Sequence, residues 1–202
     1  LKKLLETDGY LSGQELCEQL GVSRTAVWKY MKQLKEEGYE IEAVQNKGYC
    51  LKDVPDVLGE SEIKSRLHTR WAGQTLYYYD EIDSTNTQIK RLAEEDAPHG
   101  TLAVADYQSK GKGRRGRAWD SPHGSAIYMS ILFRPEIRPD RASMLTLVIG
   151  LSVTQAIRSN LGLRAQIKWP NDVVLNGKKL VGILTEMSAQ MNYIEYLVTG
   201  IG

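Results

Sequence analysis

In residues 108–122, QSKGKGRRGRAWDSP, the span from Lys110 to Arg117 carries Lys110, Lys112, Arg114, Arg115 and Arg117 and no acidic side chain. Gly111, Gly113 and Gly116 are interleaved with these cations. Glycine lets a backbone close tightly on a ligand. Like charges at this density repel one another unless an anion neutralises them. The stretch therefore reads as a mobile loop that orders around something negative, with Trp119 as a flat face for stacking on a base. Gly111-x-Gly113-x-x-Gly116 has the spacing of a dinucleotide-binding turn, but Asp120-Ser121-Pro122 follow where an apolar helix should start. With no Gly-Lys-Ser/Thr present, a P-loop is also excluded. A direct nucleic-acid contact and a merely solvated charged loop stay open on these residues alone.

Two further stretches carry chemistry. In Gln166–Leu175 (QIKWPNDVVL), Lys168 sits in an apolar strand context beside Trp169. A lysine there must meet a partner or suffer desolvation, so it reads as a cation aimed at a carboxylate or phosphate. In Asp80–Asn86, acids, hydroxyls and an amide gather where a strand passes into a helix. Plain capping, with Thr85-x-x-Gln88 as a capping box, is one reading; a polar pocket at a helix N-terminus is the other.

The elements that must position these groups follow from the hydrophobic pattern. Strands are expected at 76–79, 101–107, 126–133, 166–175, 179–187 and 193–201, with Asn176-Gly177 as a hairpin turn. Helices are expected near 60–68, from 84 to 95, and over 141–161, the last with apolar positions 144, 145, 148, 149, 153 and 157 facing a core. This gives an α+β fold with a mixed, mainly antiparallel sheet and helices on one face. The three histidines lack metal-ligand spacing, and Cys17 and Cys50 suggest no disulfide framework. A net charge of +1 gives no global pull toward nucleic acid or anionic membrane. No signal peptide or membrane-spanning run is read, and a cytoplasmic protein is expected. The chain lacks an initial Met and stops at Gly202 after a strand-like run, so incomplete ends are expected.

Residues 1–38 read as three helices, with Ser12-x-x-Glu15 as a capping box, Gly21 in the turn and Ser23 as the N-cap of the third. The third helix is expected to bury Val27, Tyr30, Met31 and Leu34, and to expose Arg24, Thr25, Trp28, Lys29 and Lys32. A hairpin turning at Asn46-Lys47-Gly48 follows, which completes the pattern of a winged helix-turn-helix. Ser23, Arg24, Thr25, Trp28, Lys29, Lys32 and Lys47 are its candidate DNA contacts. Residues 1–52 hold eight basic and eight acidic side chains, so a small docking module is the competing reading.

Taken in order, Asp83-Ser84-Thr85-Asn86, Gln108…Gly111-Lys112-Gly113-Arg114-Arg115-Gly116-Arg117-x-Trp119, Lys168-Trp169-Pro170-Asn171-Asp172 and Gly200-Ile201-Gly202 resemble the biotin–protein ligases. With the winged helix the resemblance covers essentially the whole chain and is closest to the bifunctional biotin operon repressor/ligases. It implies a DNA-binding domain over 1–53, a linker over 54–59 and a ligase domain over 60–202, with the family's C-terminal part and small β-barrel expected to lie outside this chain. It also implies biotin and ATP with Mg²⁺ as reactants, a biotin carboxyl carrier protein and operator DNA as partners, and a homodimer formed on adenylate binding. By the same resemblance, Lys168 and Arg114 are catalytic. Ser84, Thr85, Asn86, Gln108, Lys112, Gly113, Arg114 and Lys168 hold biotin. Gly111, Arg115, Arg117, Trp119, Asn171, Gly200 and Gly202 hold the adenylate. Lys112 stands where the family often has Arg, a cation without a bidentate fork. A non-catalytic biotin sensor, a ligase for another cofactor acid such as lipoate, and a second DNA contact by the basic loop are the alternatives.

Overall fold

The computed structural model describes residues 1–202, which divide into two compact units, Leu1–Leu67 and His68–Gly202. The first contains α1 (Lys2–Leu5), α2 (Gly13–Leu20), α3 (Arg24–Glu36), the hairpin strands β1 (Glu40–Val44) and β2 (Gly48–Asp53), and α4 (Glu60–Arg66). Its core joins Leu4, Leu11, Leu16, Val27, Met31, Leu34, Tyr39 and Ile41. Glycine is required at Gly48, which has φ +114° and whose Cβ would stand 2.2 Å from the Leu11 carbonyl oxygen. Tyr30 is 50% exposed rather than buried, since on α3 it lies one residue off the Val27–Met31–Leu34 stripe. The boundary also differs from the expected linker at 54–59. Helix α4 belongs with the first unit, where Glu62 accepts from the Tyr39 hydroxyl at 2.7 Å.

Ser23 caps α3, its hydroxyl accepting from the Ala26 N–H at 3.2 Å. Ser23→Ala is expected to destabilise this unit by about 1 kcal/mol, read as a lower denaturant midpoint by circular dichroism.

The second unit is a seven-stranded sheet flanked by helices. In chain order it runs β3 (Leu76–Ile82), α5 (Thr85–Glu94), β4 (Leu102–Gln108), β5 (Tyr128–Phe133), α6 (Ala142–Leu161), β6 (Gln166–Lys168), β7 (Asp172–Leu175), β8 (Lys178–Ala189) and β9 (Ile194–Ile201). The sheet order is β3-β4-β5-β9-β8-β7-β6. Strand β3 pairs in parallel with β4, across the α5 crossover. The other pairings are antiparallel. Asn176 and Gly177 both take positive φ, which closes the β7–β8 turn.

The two long helices do not share a face, against expectation. Ile89, Leu92 and Ala93 of α5 pack with Ala103, Leu132 and Val198. Leu145 and Ile149 of α6 pack with Phe133, Ile194 and Leu197. Val198 and Leu197 are adjacent on β9, and neighbours along a strand point to opposite sides. Helix α6 is long and apolar enough to cross a bilayer by length and composition alone. It lies on the sheet instead: the Thr146 hydroxyl donates to Thr185 Oγ1 at 2.8 Å. Only Ala142, Gly150 and Thr154 of α6 are buried, so the expected core positions Met144 and Val148 are exposed.

Candidate functional site

The α5 face of the sheet carries a cavity of about 630 Å³. Ser84, Thr85 and Asn86 enter it from the first turn of α5, and Gln108 from the end of β4. Thr85 is not a cap. Its N–H and hydroxyl both donate to Gln108 Oε1, at 2.8 and 3.1 Å. Ser84 is the N-cap residue, yet its side chain makes no capping bond. A buried hydroxyl left free beside the cavity is what a pocket needs and a capping motif does not.

The basic loop covers this floor and is folded. Gly113 N–H donates to Arg117 O at 2.7 Å, and Trp119 N–H to Gly111 O at 2.9 Å. Arg115 closes the turn with φ 58°. The like charges are separated by being led to different partners. Lys112 Nζ donates to Thr87 Oγ1 at 3.0 Å, and Arg114 to Asn171 Oδ1 at 2.7 Å. Lys112, Gly113, Arg114, Arg115 and Arg117 all line the cavity. Gly111 does not; it packs beneath the loop, where a Cβ would come within 2.3 Å of the Trp119 carbonyl oxygen.

The far end is built from Trp119, Asn171 and the glycines of two strands. A Cβ on Gly182 would stand 2.8 Å from the Trp119 ring, and one on Gly202 3.0 Å from its Nε1. Trp119 Nε1 is buried and has no protein acceptor. Gly200 likewise has no room for a side chain, since its Cβ would meet Asn86 Oδ1 at 2.3 Å.

The expected catalytic lysine, Lys168, lies next to the cavity: its strand position pairs with Asp172, and residues 169–172 line the space. Lys168 is exposed on β6, the edge strand, and does not line the cavity. Without burial, nothing forces it toward an anion. Besides Lys112, a second lysine enters, Lys179, which the sequence motifs passed over. Its ammonium stands 4.7 Å from the centroid of the Trp119 ring and 2.8 Å from Asp172 Oδ1. Asp172 is the only acidic side chain lining the cavity. The hairpin places Lys179 opposite Val174, and a register shift between Val173 and Val174 sets Gly182 opposite Asp172. The Asn176-Gly177 turn followed by two lysines was the available signal.

Asn86 lines the cavity, and its amide is also bound by the protein. Its Nδ2 donates to Glu186 Oε2 at 2.8 Å and to Leu184 O at 3.3 Å. Its Oδ1 accepts from the Ser130 hydroxyl at 2.6 Å. The amide is occupied by protein and shapes the pocket wall. Glu186, Ser130 and Ser121, which support this floor, were not among the sequence candidates.

On the first unit, Arg24, Thr25, Trp28, Lys29 and Lys32 are exposed along α3, as expected. Trp28 is 57% exposed, large for an apolar ring on a small domain. Lys47 is exposed at the wing tip, 5.6 Å from the Tyr10 ring centroid.

A model of the biotin/lipoate A/B protein ligase family matches residues 78–202, and a helix-turn-helix domain matches residues 1–50. A bifunctional ligase/repressor BirA of Bacillus spizizenii is 48% identical over 96% of this chain, and one of Escherichia coli is 36% identical over 98%. The chain spans 59% and 60% of the lengths of these two relatives. Among solved structures, a biotin protein ligase from Aquifex aeolicus in complex with biotin and ATP is similar, with TM-score 0.52 and 38% identity over 63% of this chain and 51% of that one. One from Leishmania major with biotinyl-5-AMP gives TM-score 0.54 and 25% identity over 63% and 56%. The family match covers more than half of the sequence and contains the whole cavity, from Ser84 to Gly202; the chain belongs to the biotin/lipoate A/B protein ligase family.

Proposed function

We propose that this chain activates biotin with ATP and passes the biotinyl group to a lysine of a biotin carboxyl carrier protein. A biotin carboxylate oxygen attacks the α-phosphorus, pyrophosphate leaves, and biotinyl-5′-adenylate forms. The carrier lysine amine then attacks the acyl carbon, and AMP leaves. The observation that carries this reading is one cavity lined both by neutral polar groups, Ser84 and Gln108 among them, and by the cations Lys112, Arg114 and Lys179. Carboxylate and phosphate repel each other, and fixed cations offset that repulsion as charge builds on phosphorus. Lys179, steadied by Asp172, takes the role first given to Lys168, and Arg114, held by Asn171, is the second cation. Lys112, Gly113, Arg115 and Arg117 enclose the ligand and shield the mixed anhydride from water. Trp119, with its unpartnered indole N–H, Asn171 and Gly202 hold the adenylate end, and Gly200 lies against Asn86 in the floor.

The neutral polar groups favour biotin over lipoate. A ureido ring matches hydroxyl and amide groups, whereas a dithiolane ring has no comparable hydrogen-bonding atoms. Mg²⁺ would enter bound to the phosphates of ATP, bridging its β- and γ-oxygens. The winged helix reads operator DNA through Arg24, Thr25, Lys29 and Lys32, with Lys47 on the backbone. Its balanced charge makes one copy a weak binder, so two copies on paired half-sites are needed, and adenylate promotes their association. The protein acts in the cytoplasm, consistent with Cys17 and Cys50 both being free.

The test supplies purified protein with ATP and radiolabelled biotin. Labelled adenylate, then label on a carrier protein, is expected. Binding without adenylate would point to a sensor, and turnover of lipoate to the other ligase. In parallel, operator affinity by anisotropy should rise when biotin and ATP are present; identical curves would leave the DNA-binding unit independent of the ligand.

A further inference from the structure

A buried run of hydrogen bonds passes beneath the cavity and ends on the basic loop. It begins at Glu186, whose carboxylate accepts from Lys90 at 2.6 Å and from Asn86 at 2.8 Å. Ser130 Oγ lies 2.6 Å from Asn86 Oδ1 and 2.8 Å from Thr85 Oγ1. Thr85 donates to Gln108 Oε1. Gln108 Nε2 donates to Ser121 Oγ at 3.0 Å, and the Ser121 hydroxyl donates to the Trp119 carbonyl at 3.2 Å. Ser121 is 2% exposed and Ser130 fully buried.

The polarity of this run is fixed by groups that cannot reverse. The Thr85 backbone N–H only donates, so Gln108 must turn its carbonyl oxygen toward it. That leaves Nε2 as the one polar end Gln108 offers to Ser121 and to a ligand. At the other end an ionised Glu186 only accepts, which sets the Asn86 amide. Burial pushes the Glu186 pKa upward, but the bonds from Lys90 and Asn86 outweigh it and hold the carboxyl below its ordinary value. A buried polar network responds along its length when one member is removed.

Resting on the biotin–adenylate reading, we propose that Ser121 is a positioning residue that couples the two ends of the site. Its hydroxyl ties Gln108, at the biotin end, to Trp119, at the adenylate end. A ligand that fixes Gln108 therefore also fixes the segment carrying Trp119, and the reverse holds by linkage. Ser121 touches neither ligand; it acts through its two partners.

The experiment measures biotin affinity with and without AMP, and AMP affinity with and without biotin, by calorimetry on the full chain. In the unaltered protein the two ligands should strengthen each other by a common factor of about five or more. In Ser121→Ala that factor should fall toward one. A residue that only stabilised the fold would weaken both ligands and leave the factor unchanged. Ser121→Cys, which keeps a weaker donor and acceptor in the same space, should restore part of the coupling. If the alanine variant does not fold by circular dichroism, the cysteine variant against the unaltered protein carries the comparison. An unchanged factor in a folded variant overturns the proposal. Two ligands that bind the unaltered protein independently overturn it as well, and leave the biotin–adenylate reading standing. Failure of the unaltered protein to bind biotin at all removes that reading, and the coupling with it.

Discussion

Lys179→Ala is expected to slow adenylate formation by roughly 10²–10³-fold, the usual loss when a preorganised charge-stabilising group is removed. Lys168→Ala is expected to react at close to the unaltered rate. The contrast rests on which of the two side chains lines the cavity. Lys179 stands between Asp172 and the Trp119 ring inside the cavity, whereas Lys168 is exposed on an edge strand. Single-turnover measurement of biotinyl-adenylate, with pyrophosphate release as a second readout, separates the two variants. A slow Lys168→Ala and a normal Lys179→Ala would return the catalytic role to the first lysine. Because Lys179 also packs on Trp119, Lys179→Met keeps the stem and removes only the charge. It should be as slow as the alanine variant if charge is what matters.

Gly200→Ala is the second large effect. The added methyl would sit 2.3 Å from Asn86 Oδ1, so Asn86 must leave Ser130 and Glu186 or the strand must move. Overpacking of this kind costs about 1–3 kcal/mol, and here it falls on the floor of the pocket. The variant should melt earlier and lose most of its affinity for biotin, both measurable by calorimetry. Normal biotin binding with a normal melting curve would mean that Asn86 is free to move, against the four bonds its amide and neighbours make.

The two lysines also mark where sequence stops being sufficient. Both lie in apolar strand surroundings, and local composition cannot say which one faces inward. That depends on hairpin register, here shifted between Val173 and Val174, and on which strand ends up at the edge. The basic loop was legible because charge density, glycine spacing and Trp119 are properties of one contiguous stretch. Ser84, Thr85 and Gln108 were legible only through the family resemblance, since hydroxyls at a helix start read by themselves as plain capping. Ser121 and Ser130 were not, since a lone serine has meaning only through partners distant in sequence. Helix faces failed for a related reason. The apolar pattern of α6 shows that it packs somewhere, but Met144 and Val148 remain exposed, and nothing in a one-dimensional pattern tells which side of a sheet a helix will take.

That division of faces has a consequence for variation. Along β9, Val198 and Gly200 look toward α5 and the cavity, while Leu197 and Thr199 look toward α6. The partner strand β8 keeps the same beat, with Glu186 on the first side and Ile183 and Thr185 on the second. A saturation scan along these two strands should alternate between two kinds of loss. On the α5 side, changes such as those at Val198 and Gly200 would lower stability and alter ligand handling together, whereas on the α6 side they would lower stability while surviving molecules keep their chemistry. The sheet thus acts as a partition between two selection pressures, and the α6 side can be redesigned for stability with little risk to the reaction.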